Sequence, residues 1–256
     1  MVKAKKSLGQ NFLNDPSVIS HIVKSVGPKA EDRLVEIGPG QGALTEHLAG
    51  SCQRLDLIEL DDRLIPQLQK KFVNNTTRLH HQDVLTMDWD QLYQAQTPSS
   101  PLRLVGNLPY QISSPLLFQL LEHRQFFKDM LFMLQKEVVD RIAAPCNSKN
   151  YGRLSVMLQT YFDVEKGIEI EPESFSPAPK VHSALIQLWS NERELDPKVF
   201  QALQDITQKA FQQRRKTVRN SLKEWQDHFT RCDIDPSVRA QNLTIEQYYQ
   251  LACSST

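Results

Sequence analysis

RLVEIGPGQGA, residues 33–43, is an apolar run that breaks into three closely spaced glycines. RLVEIG (33–38) reads as a buried strand. Gly38 and Gly40 allow positive φ and let a ligand approach the backbone closely. GALTEHLAG (42–50) is predicted as the following helix, whose free N–H groups would face that ligand. Strand, glycine turn and helix in this order point to a nucleoside-binding α/β unit.

Working outward, RLDLIEL (54–60) is predicted as the second strand. It ends on Glu59, about twenty residues after the turn, where an acid can accept both hydroxyls of a ribose. Read as G-x-G-x-x-A, the turn also satisfies the loose dinucleotide fingerprint. Against a nicotinamide dinucleotide, the chain shows one sheet and a helical tail, with no second mononucleotide-binding half. S-adenosylmethionine needs a ribose acceptor and a close glycine backbone but no pyrophosphate site. Glu36 either accepts from the ammonium group of that cofactor or is a carboxylate capped within the protein. Asp83, after a third strand at RLHHQDV (78–84), either accepts from the adenine amine or caps a helix.

Asp15-Pro16 predicts a helix start and Gly27-Pro28 its end. RLIPQLQKKF (63–72) reads as a helix, LRLVGN (102–107) as a strand, and SPLLFQLLEH (114–123) as a helix capped by Ser113 or Ser114. KDMLFMLQ (128–135) is a fifth strand, LSVMLQTYF (154–162) a helix, and KGIEIEP (166–172) with VHSALIQLW (181–189) a late strand pair. Strands alternating with helices imply a parallel α/β sheet. From about Leu195 the pattern is helical, with starts expected at Asp196-Pro197, Asp235-Pro236 and Thr244. The expected domains are therefore 1–192 and 193–256, with QAQTPSSP (94–101) as a loop.

With 40% hydrophobic residues the chain of 256 can bury a core, and 30 basic residues balance 30 acidic ones, so any nucleic-acid partner must be held by a local patch. Cys52, Cys146, Cys232 and Cys253 include no CxxC pair and read as free thiols. Adjacent His80 and His81 point to opposite faces of a strand and cannot share a metal, so no metal is expected. No apolar run reaches the roughly 18 residues needed to span a bilayer. The expectation is a cytoplasmic monomer without a membrane partner.

VGNLPY (105–110) places Asn-Leu-Pro-Tyr where a buried strand ends. Pro109 stops the ladder, leaving Asn107 and Tyr110 at the carboxyl edge of the sheet, where open α/β folds bind ligands. An adenine amine is a poor nucleophile, because its lone pair is delocalised into the ring. The Asn107 side-chain oxygen and the Leu108 carbonyl could accept from its two hydrogens, with Pro109 fixing the turn. Tyr110 offers a stacking face worth ~1–3 kcal/mol. No general base is required, since the methylated ammonium loses its proton to water. As a plain strand-ending turn, the same residues would pack Tyr110 under a loop.

EIGPGQG, NLPY and FSPAPKVHSA (175–184), together with KKSLGQNFL (5–13) and AFQQRRKTVRNSL (210–222), resemble the KsgA/RsmA family of ribosomal RNA adenine dimethyltransferases. Its relatives include the eukaryotic Dim proteins and the Erm resistance methyltransferases. The resemblance implies a Rossmann-like S-adenosylmethionine-dependent methyltransferase sheet with a small all-helical C-terminal domain. It implies N6-dimethylation of two adjacent adenosines near the 3′ end of small-subunit rRNA during ribosome assembly. Asn11, Leu13, Gly38, Glu59, Asp83 and Asn107 would contact the cofactor, and Phe175 would stack opposite Tyr110. Without the family, Phe175 is a packing plug in a proline-rich loop.

A target base must leave its stack, so the flanking RNA has to be gripped. Arg214, Arg215, Lys216, Arg219 and Lys223 form one basic cluster, and Lys3, Lys5 and Lys6 another; either is also compatible with a solvated surface. Three competing functions are an Erm-like large-subunit methyltransferase, a ribosome-assembly binding factor of the same fold, and a nicotinamide-dependent oxidoreductase.

Overall fold

The computed structural model describes residues 2–5, 8–95 and 100–256. In chain order the strands are β1 (Phe12–Leu13), β2 (Arg33–Ile37), β3 (Arg54–Glu59), β4 (Thr77–His81), β5 (Leu102–Asn107), β6 (Phe127–Gln135), β7 (Phe162–Ile170), β8 (Phe175–Ser176) and β9 (Ser183–Ser190). The helices are α1 (Pro16–Val26), α2 (Thr45–Leu48), α3 (Ile65–Phe72), α4 (Trp89–Gln94), α5 (Ser113–Glu122), α6 (Lys136–Ile142), α7 (Arg153–Tyr161), α8 (Pro197–Gln212), α9 (Val218–Ser221) and α10 (Ile245–Ser254). The chain divides into two compact units, Met1–Val139 with Glu165–Ser190, and Asp140–Val164 with Asn191–Thr256. The second unit thus takes in residues 140–164, which a sequence boundary at 192 leaves in the first.

The main sheet has seven strands in the order β4-β3-β2-β5-β6-β9-β7. The five from β4 to β6 run parallel, while β9 is antiparallel to β6, so the sheet is mixed rather than wholly parallel. Every residue of β2 and β3 is buried, as expected for central strands covered on both faces. Strand order reverses between β2 and β5, whose carboxyl ends lie side by side with Ile37 opposite Gly106. This switch point brings the glycine turn after β2 next to the NLPY turn after β5. Gly106 permits the approach: a Cβ there would sit 2.5 Å from the Ile37 carbonyl oxygen.

Buried charge gathers at the opposite, amino edge. Arg103 near the start of β5 donates to Asp32 (2.5 Å), to Asp129 (2.9 Å) and to the last carbonyls of α1, so these groups compensate one another. Asp15 caps α1 by accepting from Ser17 N and Val18 N, and Gly27 closes it in the left-handed region.

Several local expectations are corrected. The helix after the glycine turn is short, Thr45–Leu48, because residues 40–44 continue as turns. Neither Ser113 nor Ser114 caps α5: Ile112 holds the cap position, and the Ser113 hydroxyl donates to the Pro109 carbonyl (3.1 Å). The Asp235 carboxylate accepts from Ser237 N, which closes a turn and starts no helix. Residues 96–99 of the expected QAQTPSSP loop lie outside the described residues, and α4 and the β1·β8 pair are additions.

In the second unit α7, α8 and α10 pack around Tyr151, Phe211 and Tyr248, with Tyr151 edge-on to Phe211 at 6.1 Å between ring centroids. The Tyr248 hydroxyl is buried and donates to the Ala240 carbonyl at 2.7 Å. Asp196 caps α8, and Thr244 with Gln247 forms a capping box on α10, both as expected from sequence.

Candidate active site

At the switch point of the first unit lies a cavity of about 170 Å³. Its floor is the glycine turn, Gly38–Gln41, and its sides come from the ends of β3 and β4 (Glu59, Leu60, Asp83, Val84) and from Asn107–Ile112. The remaining wall is the segment Leu8–Leu13. That segment is stitched down by polar bonds. Gln10 Nε2 donates to Asp61 Oδ2 (2.8 Å), and Asn107 Nδ2 to the Asn11 carbonyl (2.9 Å). Antiparallel pairing of Phe12 and Leu13 with Ser176 and Phe175 completes the anchorage.

Gly40 is at φ +59°, and a Cβ there would come within 3.0 Å of the Phe12 ring, so only glycine leaves the floor open at that point. Its N–H donates to Glu59 Oε2 (3.1 Å), while Glu59 Oε1 accepts from Leu60 N (2.9 Å) and Asp61 N (2.8 Å). Burial raises the Glu59 pKa, and the three backbone donors oppose the shift. With two oxygens and about four acceptor positions, three of them used, a carboxylate so held can still accept from a further hydroxyl through Oε2.

Glu36, 2% exposed, also lines the cavity. Its Oε2 accepts from the Thr45 hydroxyl (2.7 Å), and burial pushes its pKa up to about 7, helped by the nearby Glu59 charge. The capped reading of Glu36 is thus present, and the same carboxylate lies on the cavity wall. Asp83 also caps and lines: Oδ1 accepts from Leu85 N (2.9 Å), capping a single 3₁₀ turn, and the residue lines the cavity. Asp61 is held well below the usual carboxylate range by the Arg63 guanidinium and Gln10.

In the NLPY turn, Leu108 N donates to the Met133 carbonyl (3.1 Å), and Ile112 N closes the turn on the Pro109 carbonyl (3.1 Å). Because Asn107 Nδ2 is committed to the Asn11 carbonyl, its Oδ1 is the end left to accept from a ligand. Tyr110 lines the cavity and shares a hydrogen bond with the Ser183 hydroxyl at 3.1 Å.

The cavity brings together Asn11, Leu13, Gly38, Gly40, Glu59, Asp83, Asn107, Leu108, Pro109 and Tyr110. Phe175 is not among its lining residues. It is 4% exposed and packed in the hydrophobic core opposite Leu13, so it has no free face on which a base could stack. Lys5, Arg214, Arg215, Lys216 and Arg219 are exposed, and Lys6 lies outside the described residues. Arg214 donates to the Lys149 carbonyl and to Gln241 (3.3 Å). Sequence reasoning missed Gln10, Leu60 and Ser183. Leu60 is 47% exposed on the cavity wall, an apolar face suited to a purine; its position just after Glu59 was the available signal.

This wall fits an adenosine cofactor with an amino-acid end: carboxylates for hydroxyls and amines, a glycine floor and apolar sides. Among the described residues no group of three or more His, Cys, Asp or Glu could hold a metal, and no helix is long and apolar enough to cross a membrane.

The seven-stranded sheet and switch-point cavity define a Rossmann-like methyltransferase fold. A crystal structure of a dimethyladenosine transferase from Plasmodium falciparum superposes with a TM-score of 0.79 at 25% identity, covering 94% of this chain and 95% of that one. The chain belongs to the ribosomal RNA adenine dimethylase family, whose profile matches residues 1–255. It is 46% identical over 256 residues to ribosomal RNA small subunit methyltransferase A of Hydrogenovibrio crunogenus, covering 97% of this chain and 95% of that protein. The protein of the same name from Saccharophagus degradans is 48% identical, with 98% and 94% covered. Family membership removes the nicotinamide alternative.

Proposed function

We propose that the protein transfers methyl groups from S-adenosylmethionine to N6 of two adjacent adenosines near the 3′ end of small-subunit rRNA during ribosome assembly. The observation that carries this reading is the tethered Asn107 amide, its Oδ1 left free beside Tyr110 on the wall of a carboxylate-lined cavity. When bound, the cofactor supplies a methyl sulfonium, an electrophile needing no further activation.

Glu59 accepts from a ribose hydroxyl, Asp83 from the adenine amine, and Glu36 from the ammonium group. Asn11, Leu13, Gly38 and Gly40 form the remaining cofactor wall, and Leu60 covers the purine face. Asn107 Oδ1 and the Leu108 carbonyl accept from the target amine and hold its lone pair toward the methyl. Alignment of this kind supplies much of the rate, because the enzyme has only to orient two reactants. Tyr110 stacks the flipped base. The proton leaves the methylated ammonium to water, so no side chain serves as base.

Lys5, Arg214, Arg215, Lys216 and Arg219 are proposed to contact phosphates, with Lys6 retained from the sequence. On this reading the chain acts as a monomer in the cytoplasm. The test is transfer from labelled S-adenosylmethionine to undermethylated small subunits, with large subunits alongside and nucleosides analysed. Dimethyladenosine from small subunits alone is expected. Label only in large subunits would move the protein to an Erm-like activity, and bound cofactor without label in either would leave a binding factor.

A further inference from the structure

We propose that Ser183 is a positioning residue for Tyr110 and that this hydroxyl pair governs the second methyl transfer. The inference rests on the reading above, in which Tyr110 is the platform for the target base.

Tyr110 sits in the turn between β5 and α5, half-buried, with its hydroxyl 3.1 Å from Ser183 Oγ. Ser183 is 1% exposed and is the first residue of β9. It is paired with Gln135 at the end of β6, and the preceding His182 carbonyl accepts from Lys136 N at 2.9 Å. A point fixed by the sheet therefore holds the far end of a ring that starts in a turn. Two torsions place a tyrosine ring, and a bond at its hydroxyl, which lies on the axis of the second, fixes the first and so where the far end of the ring sits. Stacking itself needs only the face of the ring, which phenylalanine would also supply; the hydroxyl adds aim.

Aim matters unequally to the two transfers. The first acceptor is an unsubstituted amine with two hydrogens for two acceptors. The second carries a methyl that has to be turned away while the one remaining hydrogen is held. Fewer bonds then restrain the base, and more of its placement falls to the platform. Small displacements of a reacting group cost disproportionately in rate.

Ser183→Ala and Tyr110→Phe each delete one hydroxyl and keep the ring. Each is expected to lower the ratio of dimethyl- to monomethyladenosine by about five- to tenfold, the scale of one neutral hydrogen bond. The double variant should fall no further than either single one, because both remove the same bond. Cofactor affinity and thermal midpoints measured alongside would show each variant folded. Wild-type product ratios in both single variants, with Tyr110→Ala inactive, would overturn the inference and leave the platform reading intact. Additive losses in the double variant would also overturn it. Full activity of Tyr110→Ala would remove the platform, and the inference with it.

Discussion

Glu36→Gln tests the carboxyl whose ionisation the cavity holds near neutrality. Its pKa is raised from 4.5 to about 7, chiefly by burial, with Thr45 and Glu59 the polar and charged neighbours that act on it. A raised acid pKa means that the folded protein holds the proton more tightly than the unfolded chain. Stability is therefore fully present below about pH 4.5, falls as pH climbs to about 7, and levels off beyond, for a loss of about 3 kcal/mol. Glutamine keeps an oxygen for the Thr45 hydroxyl and has no charge to desolvate, so its urea midpoint should lack this decline. Binding has the opposite sign. An ammonium accepted by Glu36 needs the ionised form, which grows from about one-tenth at pH 6 to about nine-tenths at pH 8. Affinity for S-adenosylhomocysteine, which has the same amino-acid end, should rise about tenfold over that interval in the wild type and stay flat in Glu36→Gln. Calorimetric titration at pH 6, 7 and 8 reads the effect. Equal pH dependence in the two proteins would refute the assignment of Glu36 to the ammonium, and coincident urea profiles would refute the desolvation account.

Asn107→Ala should cut methyl transfer by well over tenfold while thermal stability stays within about 1 kcal/mol, since it removes one hydrogen bond at a strand end; full transfer in single-turnover assays would remove the amide from the mechanism. Arg214, Arg215 and Lys216 changed together to Ala should weaken rRNA binding and flatten its salt dependence by about two to three in log–log slope. Unchanged affinity and slope would return these residues to an ordinary solvated surface. Phe175→Ala should destabilise the first unit by about 3–5 kcal/mol, as truncation of a buried phenylalanine does. An inactive variant with an unshifted urea midpoint would instead give Phe175 a role at the base.

Much of the site was legible because its chemistry lies in short local words. The RLVEIG strand, the glycine turn, Glu59 and NLPY each carry a backbone requirement that the letters reveal, and the cavity collects them. What stayed hidden depends on residues distant in sequence. The Asn107 amide is oriented by a carbonyl 96 residues earlier, and Tyr110 is tied to Ser183, 73 residues later. Glu36 and Asp83 could not be decided between two readings from sequence because a carboxylate that caps a neighbour can still line a cavity, as both do. The resemblance gave Phe175 a stacking face, while the residue alone read as a packing plug; its pairing opposite Leu13 turns the ring into the core. The antiparallel β9 was hidden because alternation of strands and helices says nothing about the direction of a strand added late.

The Leu8–Leu13 wall has a consequence for the order of assembly. Its neighbour Asn14 donates to the Ser174 carbonyl, and the Ser174 hydroxyl donates to Asp15, 159 residues away in sequence. A ribosome releases residue 11 long before residue 174, so the early segment, which can bond to Asp61 and Asn107 first, lacks its last anchor until almost all of the first unit has been made. The glycine floor and the acids at the strand ends can be in place first, as an open shelf. Full anchorage of the wall waits for the late residues to clamp the earliest ones, as that loop of some 160 residues is closed.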